Sequence, residues 1–311
     1  MESDIENFTK LPIQPKVVNL MINVNRSLAF FGVLLLTLVG MSTASVAQSL
    51  QGDTWSQASA AKKGTLTVTY VETPGLAYKT GNGQLAGVCV DIVKDFAAWV
   101  KESKGVDLNL RFVGDGSSFS DMYSSVQKGK GGVVGLGNIT IKDSRKSEVS
   151  FSPAYMNSFA ILVSQKSAPT LSSLDKISTE FAGYTAYVAN NTLNETRMNN
   201  LKKKHFPALD IQAVESSPVA MEKLLNDPKA FSYLDISFYL DAVKNGKNLK
   251  RHAVGDEGSE EFGLIMPLGC DWAPLMQEFF TAKNYRQSTR YQKILHDHLG
   301  PAAVKLLKTA N

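Results

Sequence analysis

Residues 135–155 read GLGNITIKDSRKSEVSFSPAY. A Gly-rich approach leads into a short β-branched run, and Arg145 follows Thr140 by five residues. That spacing predicts a strand end at which a hydroxyl and backbone N–H groups converge with a buried guanidinium on one planar anion. A carboxylate fits both donors of the guanidinium fork and takes two charge-assisted bonds instead of one. Upstream, residues 83–93 read GQLAGVCVDIV.

Working outward from these stretches, a strand is predicted over 65–71, where Leu66 and Val68 alternate with threonines. Pro74-Gly75 and Gly81-Asn82-Gly83 mark turns. Asp91 is placed to cap a helix whose apolar positions are Ile92, Val93, Phe96, Ala97 and Val100. Further strands are expected at 108–113 and 132–136, with a helix at 120–127 between them. This β-α-β-α-β alternation argues for a mostly parallel α/β sheet. After Tyr155 come a strand at 159–163 and a second α/β region. It has strands at 184–188 and 230–234, helices at 193–203 and 218–225, then a strand at 261–267 and helices at 273–280 and 288–298.

Both quoted stretches resemble segments of one family, the bacterial periplasmic amino-acid-binding proteins (solute-binding protein family 3), and of the related ionotropic glutamate receptor ligand-binding domain. Residues 135–155 are similar to its first-lobe signature, and residues 83–93 to its G-x-x-x-G-F-D-V-D-L segment, in the expected order. The resemblance covers roughly residues 62–307. It implies an α/β, two-lobed periplasmic-binding-protein-like (type II) fold with a hinge and an interlobe cleft. One lobe would comprise 62–157 and 262–311, the other 158–261.

The resemblance also implies a site. Arg145 and Thr140 would hold the α-carboxylate of an amino acid, and Asn138 falls where the family contacts the α-amino group. Asp235, at a second-lobe strand end, would pair with that ammonium; it is also placed to cap a helix beginning near Ile236. Asn191 and Thr192 resemble the family's Gly-Thr turn, whose N–H groups at a helix start suit an anion, although they also read as a plain cap. Glu72 is the candidate reader of a cationic side chain, and Tyr78 reads as a packing aromatic. The sequence departs from the pattern at Lys142, commonly threonine, at Gly131-Gly132, which replaces Gly-x-x-Asp, and at Asn191, often glycine. A lysine near the carboxylate seat would favour a dianionic ligand, or would point outward.

With 311 residues, 43% hydrophobic and 20% charged, the chain has ample material for two domains. The net charge of +4 is small, and its one basic triplet, Lys202 to Lys204, reads as a solvated helix face, so no nucleic-acid partner is expected. Arg26 precedes the apolar run Leu28 to Met41, and small residues end at Ser45-Val46-Ala47. This is the order of a cleaved signal peptide, and fourteen residues are too few to span a bilayer comfortably. Cleavage is expected after Ala47, with the start codon at Met1 or, on the signal's own pattern, at Met21. Residues 1–47 are thus an extension and signal, and 48–61, rich in Ala and Ser, a disordered leader. Cys89, in a strand-like apolar segment, and Cys270 are expected to be free thiols.

The four histidines make no metal-ligand spacing. GKGG at Gly129 is neither a phosphate loop nor a dinucleotide fingerprint. No nucleophile motif appears, and no cofactor is implied. The reading is a monomeric periplasmic protein that captures an amino acid or similar small polar carboxylate for an inner-membrane ABC permease. The alternatives are a cyclohexadienyl dehydratase-like enzyme on the same fold, with Glu72 or Lys142 as the residue to suspect, and a ligand-presenting sensory module.

Overall fold

A computed structural model describes residues 49–309 apart from Lys283. The signal-peptide segment and the cleavage position after Ala47 therefore lie outside the described residues. In chain order the elements are α1 (Trp55–Ala61), β1 (Lys63–Tyr70), β2 (Tyr78–Lys79), β3 (Leu85–Ala86), α2 (Val88–Lys104), β4 (Asp107–Phe112), α3 (Phe119–Gln127), β5 (Val133–Leu136), β6 (Val149–Phe151) and β7 (Met156–Gln165). They continue with α4 (Ile177–Glu180), β8 (Thr185–Ala189), α5 (Leu193–His205), β9 (Asp210–Val214), α6 (Ser217–Asn226), β10 (Ala230–Asp235), α7 (Ile236–Lys244), β11 (Leu249–Phe262), β12 (Ile265–Pro267), α8 (Ala273–Ala282) and α9 (Thr289–Thr309).

Two five-stranded sheets result. The first runs β4-β1-β5-β12-β6, with β1 parallel to both β4 and β5 and β12 antiparallel to its neighbours. The second runs β11-β7-β10-β8-β9, with β10, β8 and β9 parallel and β7 antiparallel to β10 and β11. Helices cover the sheets because β5 and β10 are buried along their whole length, and β1 from Leu66 on, and present no polar face to water. The chain passes between the sheets along β7 and back along β11, which pair at Asn157 with Glu261 and Met156 with Phe262.

Four local expectations are corrected. The presumed disordered leader is ordered from residue 49 on. Thr54 and Gln57 form a reciprocal capping box on α1, and Asp271 accepts from the N–H groups of Trp55 and Ser56 at 2.9 and 3.1 Å. Its first residues lie against the first sheet: Gly52 donates to the carbonyl of Lys130, and the indole of Trp272 donates to that of Asp53 at 2.8 Å. This explains Gly131-Gly132. A Cβ on Gly132 would stand 2.7 Å from the Asp53 carbonyl oxygen, and Gly131 has φ +66° with the Gly52 carbonyl oxygen 2.2 Å from its would-be Cβ. The family's usual residues would displace this segment.

Asp91 does not cap α2. The helix begins at Val88 after Gly87, so Asp91 lies inside its first turn, where its carboxylate meets His298 Nε2 at 3.0 Å. Cys89 is accordingly helical, not in a strand; it is fully buried, and both cysteines are free thiols. The single strand expected at 261–267 is two strands broken at Gly263-Leu264, and most of β11 lies upstream of it.

Candidate functional site

A cleft enclosing about 580 Å3 of atom-free space up to its mouth lies where the carboxyl ends of the parallel strands meet. That is where ligands sit in open α/β sheets. Val71 and Glu72 reach it from the end of β1, and Asn138 and Thr140 from the end of β5. Ala189, Thr192 and Asp235 reach it from the ends of β8 and β10. Both sheets therefore contribute walls.

Arg145 lines the cleft from a single 3-10 turn, Asp143–Arg145, and is half-buried rather than buried. Its guanidinium lies 5.1 Å from the ring centre of Phe119 and 5.4 Å from that of Tyr123. Stacking fixes its plane and leaves its N–H edge for an in-plane acceptor. Among the described residues no carboxylate comes within ion-pair distance of it. Burial lowers its pKa, but an arginine starts so high that the charge persists.

Asp235 is 5% exposed and caps α7: Oδ1 accepts from the Ser237 N–H at 2.9 Å and Oδ2 from the Ser158 hydroxyl at 2.8 Å. Burial pushes its pKa up to about 6 against the pull of those hydrogen bonds, with the charge of Glu260 adding to the rise. A carboxylate in this state gains from a cation beside it. Glu72, half-buried, lines the cleft with no side-chain ion pair among the described residues. Asn138 also lines it, its Oδ1 accepting from the Thr73 hydroxyl at 3.0 Å.

Two candidates stand differently. Thr192 lines the cleft, but its hydroxyl is engaged as the cap of α5 and donates to the Ala189 carbonyl at 2.7 Å. Asn191 is exposed at φ 59° and is not part of the lining. Its N–H donates to Glu195 at 2.8 Å, so that carboxylate already holds the anion position its turn offers. Lys142 is exposed and outside the cleft.

Sequence reasoning missed Phe119, Arg197 and Glu260, which also line the cleft. Arg197, on α5, forms an ion pair with Glu260 near the end of β11, and Thr140 donates its hydroxyl to the same carboxylate. Phe119 was legible only as an apolar residue at a helix start. Glu260 carried no signal, because the strand that places it was not foreseen.

A family model for the bacterial extracellular solute-binding proteins, family 3, matches residues 66–260, and the chain belongs to that family. Solved structures share its fold at low identity. An ancestral arginine-binding protein bound to arginine has a TM-score of 0.62 and 21% identity, covering 76% of this chain and 98% of that one. A substrate-binding protein of an ABC uptake transporter from Streptococcus pneumoniae with bound histidine gives 0.64 and 16%, covering 80% and 97%. An ancestral amino acid-binding protein described as a precursor of cyclohexadienyl dehydratase gives 0.58 and 20%, covering 76% and 95%. No curated protein matches the sequence.

Proposed function

We propose that this protein is a periplasmic amino-acid-binding protein, exported through a cleaved signal peptide, that delivers its ligand as a monomer to an ABC permease. The observation that carries this reading is the pairing of a guanidinium, Arg145, that lies over an aromatic ring with no carboxylate in ion-pair distance among the described residues, with a buried carboxylate, Asp235, across one cleft. The first suits a ligand carboxylate and the second its ammonium. Asn138 adds a polar contact near the amine, and Glu72, without an ion pair among the described residues, reads a side chain that carries a cation or donors. The lobes, 62–157 with 262–311 and 158–261, close because a ligand touching both stabilises the closed state over the open one. Family membership supports solute binding, and the proteins of similar structure are named for binding amino acids.

A thermal-shift screen of amino acids and small carboxylates, followed by calorimetry, tests it. At least one amino acid should raise the melting temperature of the wild type and leave Arg145→Ala unmoved. A screen in which none binds, or in which arogenate or prephenate is turned over to an aromatic product, would overturn the reading.

A further inference from the structure

We propose that Glu260 is a second seat for the ligand's ammonium, beside Asp235, and that Thr140 and Arg197 are the positioning residues that hold it there. This rests on the amino-acid-binding reading. It also reassigns the Thr140 hydroxyl, which would act through Glu260 instead of donating to the carboxylate.

The hydrogen bonds carry the argument. A threonine hydroxyl has one proton, and that of Thr140 goes to Glu260 Oε2, so none is left for a ligand carboxylate. Arg197 donates to Glu260 Oε1, and the two side chains are 13% and 11% exposed. Arg197 also donates to Asn194 Oδ1 at 2.9 Å and lies 4.0 Å from Glu257, so its charge is met by carboxylates of the protein itself. An ionised carboxylate has about four acceptor positions, and these two bonds leave room for more donors from the cleft that Glu260 lines.

Strand register places the two acids together. Asp235 on β10 pairs with Ala160 of β7, and Glu260 on β11 pairs with Ser158 of β7. Ser158 and Ala160 are two apart and share one face of that strand. The acids thus flank the same short stretch from opposite sides, and Ser158 also donates to Asp235. Ala160 lines the cleft between them and offers no donor of its own. Glu260, half-buried and already paired with Arg197, still adds to the rise in the Asp235 pKa, and a cation donating to both acids relieves that repulsion. Arg145 lies over Phe119 with no carboxylate among the described residues in ion-pair distance, though the charge of Glu260 reaches it, so the cleft offers an anion seat at Arg145 and a cation seat at the two acids. An α-amino acid presents its two charges in that arrangement.

Calorimetry near neutral pH with L-arginine, L-lysine, L-histidine and L-glutamine, each beside its deamino analogue, tests the assignment. For any of these that the wild type binds, Glu260→Gln should weaken affinity about tenfold or more and leave the analogue's affinity unchanged. Thr140→Val should weaken the amino acid while Thr140→Ser restores it. In the Glu260→Gln background, Thr140→Val should add little, because both act on one contact. Thr140→Val and Thr140→Ser leave the Arg197 ion pair in place, so they test the assignment even where Glu260→Gln folds poorly. Losses that multiply in the double variant would return the Thr140 hydroxyl to the carboxylate and overturn the proposal. Equal losses on amine and analogue, or none at all, would do the same. A wild type that binds none of the four amino acids would overturn the underlying reading as well.

Discussion

Arg145 is held by two aromatic faces and, among the described residues, by no carboxylate in ion-pair distance, which leaves its N–H groups for another acceptor. Arg145→Lys keeps the charge but loses both the planar fork and the stacking. It should therefore weaken ligand binding about tenfold or more, as expected for a lost charge-assisted bond. The melting temperature of the free protein should change little; a collapse would mean that the residue is structural. Asp235 makes a pH-dependent counterpart. Its folded pKa, about 6, lies above the ordinary aspartate value, so the free protein holds the proton between about 4 and 6 while the unfolded chain has released it. Stability from this group is full below that window and is lost as pH rises through 6. A bound ammonium favours the ionised form, so affinity should fall roughly tenfold per pH unit below about 6. Asp235→Asn should abolish that slope in calorimetry at pH 5 and 7.

His252 pulls the other way. It is 1% exposed, its Nδ1 accepts from the Leu171 N–H at 3.3 Å, and its Nε2 therefore carries the proton and donates to the Ser164 hydroxyl at 2.7 Å. Ser164 passes its own proton to the Gln165 carbonyl. Protonating Nδ1 would break this chain, and burial, with Lys250 nearby, lowers the pKa to about 4. Between 6.5 and 4 the unfolded chain binds a proton that the folded chain refuses, so stability is present above 6.5 and falls with pH, by about 3 kcal/mol over the window. The opposed slopes of His252 and Asp235 offset each other in the wild type. In urea titrations, Asp235→Asn should expose the acid lability and His252→Gln should remove it; a wild-type profile from either variant would refute the assignment.

At the scale of the element, α1 shows how much a short helix depends on partners. Seven residues cannot hold a helix alone, and α1 relies on its capping box, on Asp271 at its N-terminal N–H groups and on Trp55 edge-on to Trp272 at 5.3 Å. Thr54→Ala should lower stability by about 1 kcal/mol, read as a shift of the urea midpoint at unchanged slope. Removing residues 49–61 should cost more, since it leaves the Trp272 indole N–H without its carbonyl partner. β11 is the opposite case. Its sequence, LKRHAVGDEGSEEF, alternates poorly and carries register shifts against β7 between His252 and Glu257 and again between Glu257 and Glu260. Pairing with a buried neighbour, not propensity, makes it a strand.

For the whole molecule, the cleft has contributions from both sheets, and contacts such as that between Asn191 and the Ser120 hydroxyl at 3.5 Å cross from one to the other. If the lobes close on ligand, small-angle scattering should show a smaller radius of gyration with a bound amino acid and no change for Arg145→Ala. An unchanged radius in the wild type would refute ligand-driven closure. If the protein is exported through a cleaved signal peptide as proposed, N-terminal sequencing of the mature protein should begin near Gln48.

Local signals were enough for the α/β class and for most elements, because buried runs bounded by Gly, Pro and capping residues declare themselves within a few residues. The family motif likewise marked Arg145, Thr140, Asn138, Asp235 and Glu72, all of which the structure brings to one cleft. What Thr140 touches was not legible. Its partner Glu260 lies 120 residues away, on a strand whose pattern is concealed by bulges, and Arg197 reaches the same carboxylate from another helix. Nor could sequence show that residues 49–53 lie against Gly131-Gly132, because that contact depends on two carbonyls and an indole meeting across the fold. Periodicity and capping are read from neighbours along the chain. Which side chains share a proton or a charge depends on register and packing between distant segments, and only the folded chain decides that.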